Sequence, residues 1–424
     1  MPAALIVFSL TYVLMIVLPK YRAFVALLAA AVFVVSGMLP PESILPSIDW
    51  NVLLMIAGTM GIMALFIESK MPSMLADLII DRMPDVRWTV VALSLFSAIV
   101  SAFVDNVATV LMIAPVAITI AKKLRISPVP SIIAISIASN LEGAATLVGD
   151  TTSILLSGAA GMDFIDFFWM QGRPGMFWVV QLGLVAATLV VLYFFRRSTE
   201  PVEIDETTRI EDYFPTFLLG GTIGALILAS FFPEKPDITN GLICVGFLVI
   251  GILYETIRQK SLSVLIRTVR EVDYFTLLLL GSLFVVIGGI RQAGVIDAIA
   301  ALFVQLGGGS PFVTYSILLW ASVLFSAFID NIPYVATMLP VVASIAAHMG
   351  TEPHVLYFGL LAGATLGGNL TPIGASANIA SIGILRKHGY PVGNGAFMKL
   401  SVPYTLAAVT TGYIAIWLLW GIGA

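Results

Sequence analysis

Cysteine, histidine and charged residues are all scarce in this sequence. The 424 residues include one cysteine, Cys244, which excludes an internal disulfide and a cysteine-rich metal site. Only 11% of the residues are charged, whereas charged residues make up about a quarter of a typical soluble domain. The polar segments contain no nucleophile–base pair and no metal-ligand cluster. The sequence therefore predicts neither an enzyme nor a nucleic-acid-binding protein, and it predicts no cofactor.

Long apolar runs dominate the chain, which is 59% hydrophobic. Segments such as 178–195, 217–232 and 238–254 carry no charge. Each is close to the roughly 20 residues that cross a bilayer as a helix. The apolar start, 3–18, lacks a basic region and a small-residue cleavage site, so we interpret it as a first membrane helix. These features predict an all-α polytopic protein of the cell (inner) membrane.

Twelve segments are predicted to enter the membrane. Eight are simple apolar helices, near 3–18, 23–38, 51–68, 176–195, 215–232, 238–257, 274–290 and 400–420. Four are longer and are interrupted by polar or Gly/Pro-rich residues, namely 88–121, 129–160, 311–346 and 355–385.

Two motifs recur at one fixed offset in residue number, 225. "SAFVDNVATVLMIAPV" at 101–116 and "SAFIDNIPYVATMLPV" at 326–341 share 8 of 16 positions. "SNLEGAATLVGDTTS" at 139–153 aligns without gaps onto "ATLGGNLTPIGASAN" at 364–378. This spacing predicts leading helices in 1–48, a first repeat in 49–200, a linker with scaffold helices in 201–272 and a second repeat in 273–424.

Basic residues predict the topology, because cytoplasmic loops are enriched in Lys and Arg. If 88–121 and 311–346 are re-entrant hairpins while 129–160 and 355–385 each cross once, 18 of the 21 bases lie on one face. Only Arg173, Lys235 and Arg291 lie on the other. The result is about ten crossings, two hairpins and both termini outside. An odd number of crossings separates equivalent elements, so the repeats are inverted, as in many secondary transporters.

The hairpin tips carry two Asp-Asn pairs, Asp105-Asn106 and Asp330-Asn331. A carboxylate at mid-membrane costs at least about 2.5–3.5 kcal/mol, so it indicates function. These four residues are predicted to bind substrate or ion, including Na+. The alternative is that both acids only cap the following helices, since Asp is a favoured N-cap.

The breaks in 129–160 and 355–385 add further oxygen ligands. The predicted binding residues there are Thr146, Asp150, Thr151, Ser153, Asn369, Thr371, Ser376 and Asn378. Glu142 and Asp150 are predicted to couple transport to an ion, because their counterparts in the second repeat are Gly367 and Ala375. The alternative is a packing kink built from small residues. The four interrupted segments contain no Lys, Arg or His, so we expect these carboxylates to have no basic partner. Such a site suits a cation, a proton relay or a neutral solute.

The repeated "SAF(V/I)DN", the "GGNLTPIGASAN" segment and the trailing "HGY" resemble the ion transporter superfamily. The resemblance is to its ArsB/NhaD branch, with arsenite permeases, the P protein and CitMHS-type transporters, and it extends over nearly the whole chain. It implies an elevator mechanism and a homodimer. Related sodium–dicarboxylate symporters have Ser-Asn-Thr tips, and the usual "GDPPN" reads Gly149-Asp150-Thr151-Thr152-Ser153 here. Both departures argue against a dicarboxylate.

The predicted function is secondary active transport of a small inorganic ion or metalloid, arsenite-like, coupled to H+ or Na+. Arsenous acid is uncharged near neutral pH, which fits a site without bases. Alternatives are a sodium-coupled carboxylate symporter, a Na+/H+ antiporter and a gated channel.

Overall fold

The computed structural model describes residues 1–202, 208–232, 234–261, 267–268 and 270–422, so the predicted linker 201–272 lies partly outside the described residues. The first half of the chain contains ten helices: α1 (Pro2–Val17), α2 (Arg22–Val35), α3 (Ile44–Ser47), α4 (Trp50–Glu68), α5 (Met71–Ile80), α6 (Val86–Ser101), α7 (Asn106–Leu124), α8 (Val129–Glu142), α9 (Thr151–Ala160) and α10 (Met176–Phe194). The strands Trp169–Met170 and Arg173–Pro174 form a small antiparallel pair.

In the second half the described helices are α11 (Phe214–Ala229), α12 (Thr239–Gln259), α13 (Tyr274–Gln292), α14 (Val295–Leu306), α15 (Pro311–Ser326), α16 (Asn331–Met349), α17 (His354–Gly367), α18 (Ser376–Lys387) and α19 (Asn394–Ile416). Among the described residues, seven helices are long and apolar enough to cross a membrane, or up to nine if each of two bent pairs is one span. The prediction of an all-α polytopic membrane protein is confirmed. The number of ten crossings stays a prediction.

The interrupted segments fold as helix pairs. Helices α6 and α7 meet at the tip 102–105, and α15 and α16 meet at the tip 327–330. Helices α8 and α9 flank the break 143–150, and α17 and α18 flank the break 368–375. Two short helices that the sequence pattern left unassigned, α5 and α14, precede the hairpins.

Both halves of the chain pack in the same way. Helix α2 packs against α13 and α12 packs against α4, while α6 packs on α8 and α15 packs on α17. The equivalence thus includes α1 and α2, which correspond to α11 and α12, although both pairs lie before the predicted repeat boundaries. Sequence similarity does not reveal them, because lipid-facing helices need only be apolar.

Two groups of helices result. We call α1–α4 and α11–α13 the scaffold, and α6–α10 with α15–α19 the bundle. Within the bundle the second halves of the broken helices cross over, because α9 packs against α16 and α17 while α18 packs against α7 and α8. The bundle therefore joins the two repeats into one unit.

Ion pairs group the loops at two ends of the molecule. Lys70 pairs with Glu211, and Arg267 pairs with Glu68 at 2.7 Å, at one end. Lys235 pairs with Asp163 at 2.6 Å at the other end. This grouping agrees with the distribution of bases that the topology prediction used.

Candidate functional site

Four helices begin at one place in the bundle, and acidic residues cap three of them. Asp105 accepts hydrogen bonds from the Val107 and Ala108 amides at 3.0 and 3.1 Å. Asp330 accepts one from the Ile332 amide at 3.1 Å, and Asp150 accepts one from the Thr151 amide at 2.8 Å. The fourth helix, α18, follows Ala375 and has no side-chain cap. Helix N-termini carry partial positive charge, so three carboxylates are stabilised here.

The hairpin tips are fastened to the breaks by equivalent contacts. Thr146 donates to the Ala102 carbonyl, and Thr371, its counterpart in the second repeat, donates to the Ala327 carbonyl. Beside these bonds, a Cβ on Gly149 would lie 2.9 Å from the Ala102 oxygen. A Cβ on Gly374 would lie 2.7 Å from the Ser326 oxygen. Only glycine permits this approach. Because the two threonine hydroxyls donate to the tip carbonyls, they hold the tips and are not free ligands.

A buried amide network lies behind the helix ends. Asn106 donates to the Asn140 side-chain oxygen at 2.9 Å, and Asn140 donates to the Asn369 side-chain oxygen at 3.1 Å. Asn378 accepts from Ser136 at 2.8 Å. Asn140 and Ser136 were missed by the sequence analysis, although Asn140 stands within the second repeated motif. Buried polar groups require partners, and this network supplies them.

A cavity of about 250 Å³ separates the helix ends from the scaffold. It brings together half of the predicted binding residues: Asp105, Asn106, Asp150, Thr151, Asn331 and Ser376. On the scaffold side it is lined by Arg22, by the second half of α4, and by Glu271 and Asp273 before α13. These scaffold segments lie next to base-rich loops, so we assign the cavity to the face predicted to be cytoplasmic.

The other predicted binding residues lie outside the cavity lining. Ser153 donates to the Gly143 carbonyl at 3.0 Å, and Asn369 donates to the Ile137 carbonyl at 2.9 Å. Asn378 is fully buried and donates to the Gly368 carbonyl at 3.2 Å. These three residues and the two threonines that hold the tips stabilise the site through buried hydrogen bonds. The sixth predicted residue outside the lining, Asp330, forms an ion pair instead.

Asp330 has a basic partner, so the expectation that these carboxylates have none is wrong for Asp330. Nη1 of Arg22, the first residue of α2, pairs with Oδ2 of Asp330, which also accepts from the Ser376 hydroxyl at 3.2 Å. The two side chains are only 19% and 11% exposed. Arg22 lies 308 residues away in the chain, outside the interrupted segments, so the sequence carries no signal for this contact.

Asp105 and Asp150 form no ion pair within the described part of the chain. Oδ2 of Asp150 accepts from the Thr152 hydroxyl at 2.9 Å and from the Asn331 amide at 3.3 Å. Asp105 has only its two capping bonds among the described residues. Two carboxylates at one cavity repel each other, and a bound cation or proton relieves this repulsion.

Glu142 is buried away from the cavity. Both of its carboxylate oxygens accept from Nε2 of Gln181 on α10, at 3.0 and 2.8 Å. Of the two residues predicted to couple transport, only Asp150 therefore lies at the cavity.

Comparisons with known proteins agree with this architecture. The family model for citrate transporters, CitMHS, matches residues 12–363. An uncharacterized transporter of Mycobacterium tuberculosis (strain ATCC 25618 / H37Rv) is 32% identical over 434 residues, covering 98% of this chain and 97% of that protein. The human P protein is 27% identical over 447 residues, covering 86% of this chain and 53% of the P protein. The resemblance inferred from the repeated motifs is thereby confirmed.

One solved structure supports the fold. The crystal structure of the Alcanivorax borkumensis YdaH transporter matches with a TM-score of 0.60 at 17% identity, covering 90% of this chain and 88% of that one. At this identity the likeness concerns the fold alone. The helical membrane architecture, the family match over most of the chain and the nearly full-length mycobacterial relative lead to one conclusion: the chain belongs to the CitMHS citrate transporter family and is a membrane transporter.

Proposed function

We propose that this protein is a cation-coupled secondary transporter whose central site binds H+ or Na+ at Asp105 and Asp150. The observation that carries the proposal is that both carboxylates line one cavity without an ion pair among the described residues. Arg22, the base that the described lining contains, already pairs with Asp330. Half-helix ends and irregular backbone at such a site coordinate Na+ or H+ in many transporters.

We propose that the transported solute is small and carries no net negative charge, and that arsenous acid is an example. The charged residues in the described lining of the cavity are Asp105, Asp150, Glu271, Asp273 and Arg22, so acids outnumber the base by four to one. This balance repels a free polyanion. Hydroxyl groups of a neutral solute can instead form hydrogen bonds with the side chains of Thr151, Asn331 and Ser376.

Movement of the bundle against the scaffold is part of the proposal. A second cavity, of about 400 Å³, lies at the opposite end of the α4/α13 pair. The first cavity is lined by α4 at positions 60, 63, 64 and 67, and the second is lined by α13 at positions 284, 287, 288, 291 and 292. Apart from 292, the two sets correspond one to one by the offset of 224 that relates Asp49 to Asp273 at the starts of these helices. The linings that α4 and α13 contribute to the two cavities are thus equivalent by the repeat.

The bundle linings of the two cavities are displaced relative to each other. The first cavity is lined by residues 106–111 of α7, whose counterparts in the second repeat are residues 331–336 of α16. The second cavity is instead lined by residues 336–343 of α16, which lie further along the helix. The broken helices show the same difference. Ser376 of α18 lines the first cavity, whereas the second cavity is lined by Leu155 and Ala159 of α9, whose counterparts on α18 are residues 380 and 384. The displacement is about six residues, or about 9 Å at 1.5 Å per residue. Moving the bundle by this distance would exchange the two arrangements, as an elevator mechanism requires.

A second candidate is symport of a carboxylate such as citrate, within the homodimer that the family resemblance implies. Arg22 favours this candidate. Arg22 lines the cavity, and its Nε is buried without an acceptor among the described residues. A planar guanidinium can also donate two parallel hydrogen bonds to one carboxylate. Because of the surrounding acids, the carboxylate would have to enter together with cations.

Radiotracer uptake in proteoliposomes would test both candidates. Arsenite and citrate are supplied separately under imposed Na+ or pH gradients. We expect arsenite uptake that follows one of the gradients and is lost in Asp105→Asn and Asp150→Asn. Citrate uptake that requires Arg22 would favour the second candidate, and transport of either solute without gradient dependence would refute the proposal.

A further inference from the structure

The Arg22–Asp330 ion pair connects the scaffold to the bundle. Arg22 begins α2, which packs against α13, whereas Asp330 stands at the tip between α15 and α16. Resting on the proposed function, we propose that Arg22 displaces the coupling cation from Asp330 when the site faces the base-rich side. Arg22 would then be a release group for transport, and Asp330 would carry a cation in addition to those at Asp105 and Asp150.

In this structure the Arg22 guanidinium takes the place of a cation at Asp330. Its Oδ1 accepts from the Ile332 amide, and its Oδ2 accepts from both Arg22 and Ser376. The Arg22 guanidinium also lies 5.9 Å from the centre of the Phe275 ring. A poorly exposed ionised carboxylate is costly without a counter-charge, and the guanidinium supplies one here.

The opposite-facing state removes this counter-charge. A shift of about 9 Å would carry Asp330, at the bundle tip, away from Arg22, which stays at the start of a scaffold helix. A small cavity in this structure places Asp105 beside Thr59, Met60 and Met63 of α4. Their counterparts on α13 are Leu283, Phe284 and Ile287, so Asp330 would then face an apolar wall. It would need a cation from that side.

The described part of the second scaffold half has no equivalent of Arg22. Helix α12, which corresponds to α2, begins with the uncharged residues Thr239 and Asn240. The nearest base before it, Lys235, is paired with Asp163 at 2.6 Å. Arg22 therefore acts on one face only, so cation release is favoured towards that face.

Binding measurements on the purified full-length protein would test the inference without using transport. Equilibrium binding of 22Na+ and a comparative proton titration are carried out on the wild type, Arg22→Gln and Arg22→Lys. We expect Arg22→Gln to bind Na+ about tenfold more tightly, or to take up one additional proton at neutral pH, because an opposing charge has been removed. Arg22→Lys keeps the charge and should resemble the wild type.

The double variant Arg22→Gln with Asp330→Asn locates the effect. It should lose the gain in cation binding, because the carboxylate is gone. The inference is overturned if Arg22→Gln binds no additional cation, or if the double variant keeps the gain. The proposed function is tested separately: it would be refuted if transport by the wild type did not depend on Na+ or pH gradients, whatever the binding measurements on the Arg22 variants show.

Discussion

The side-chain amide of Asn140 donates a 2.8 Å hydrogen bond to the backbone carbonyl of Thr365, which holds the same place in the second repeat. Two positions related by an inverted repeat can touch only near its pseudo-twofold axis. The axis therefore passes between α8 and α17, through the buried amide network. Under the proposed function, the difference between the two cavities arises from where the bundle sits in the scaffold.

The tip carboxylates should be essential for transport but not for folding. Asn is as good an N-cap as Asp, so Asp105→Asn and Asp330→Asn both retain the cap. Asp105→Asn removes only the charge, whereas Asp330→Asn also breaks the ion pair with Arg22. We expect transport to fall to background in each variant, with thermal unfolding in detergent shifted little in Asp105→Asn and lowered in Asp330→Asn. Asp85→Asn is the matched control, because Asp85 caps α6 through the Trp88 amide but lies neither at a hairpin tip nor in the cavity lining. Normal uptake in both tip variants would show that these residues are caps only.

Glu142 and Asp150 should differ in their effect on coupling. Asp150→Asn removes a carboxylate at the cavity and should flatten the dependence of uptake on Na+ or pH gradients. Glu142→Gln changes a buried pair with Gln181, and we expect a loss of stability of about 1–3 kcal/mol with coupling retained. Uptake across imposed gradients and unfolding curves would separate the two effects. Flattened gradient dependence in Glu142→Gln would instead support the coupling role predicted from the sequence.

Alanine at either break should disturb the contact between tip and break. Gly149→Ala and Gly374→Ala each place a methyl group within 3 Å of backbone carbonyl oxygens, which cannot move aside easily. We expect a destabilisation of about 1–3 kcal/mol, as for other overpacked sites. Gly224→Ala in α11 is the control, since its Cβ would meet no atom of the described residues within 4 Å. Stability equal to that of this control would contradict the tight approach.

Cross-linking should reveal the opposite-facing state. In this structure a Cβ on Gly158 would lie 2.5 Å from the Asp49 carboxylate, whereas the equivalent Gly383 has no neighbour within 4 Å among the described residues. If the bundle moves, Gly383 should approach Asp273, the counterpart of Asp49. In a Cys244→Ala background, cysteines at 49 and 158 should cross-link in the state seen here, and cysteines at 273 and 383 only in the other.

Electrophoresis and uptake measured before and after reduction would report these cross-links. Each disulfide should block transport reversibly. If the 49–158 and 273–383 disulfides formed in the same molecules and transport were retained, movement of the bundle would be excluded.

The topology prediction can be checked by labelling. Single cysteines at Ser198 and Gly350 are introduced into the Cys244→Ala background and exposed to a membrane-impermeant thiol reagent in intact cells. We expect the cysteine at 350 to react and the cysteine at 198 to react only after permeabilisation, because the loop near 198 belongs to the base-rich face. The reverse pattern would invert the assignment of both cavities.

Local composition and spacing are sufficient to predict the membrane class, the internal repeat and the positions of the tips and breaks. Apolar runs exclude charge, and polar motifs within such runs require buried or wet surroundings. The helix starts at Asn106 and Asn331, and those at Thr151 and Ser376, keep the offset that the repeated motifs predict.

Which polar side chains face the cavity depends on tertiary packing. Thr146 and Asp150 belong to the same break, yet one fastens a tip and the other lines the cavity, because the backbone turns between them. The pairing of Arg22 with Asp330, and of Gln181 with Glu142, joins residues far apart in the chain. Such contacts depend on how the helices pack against one another, and neither hydropathy nor motif spacing contains that information.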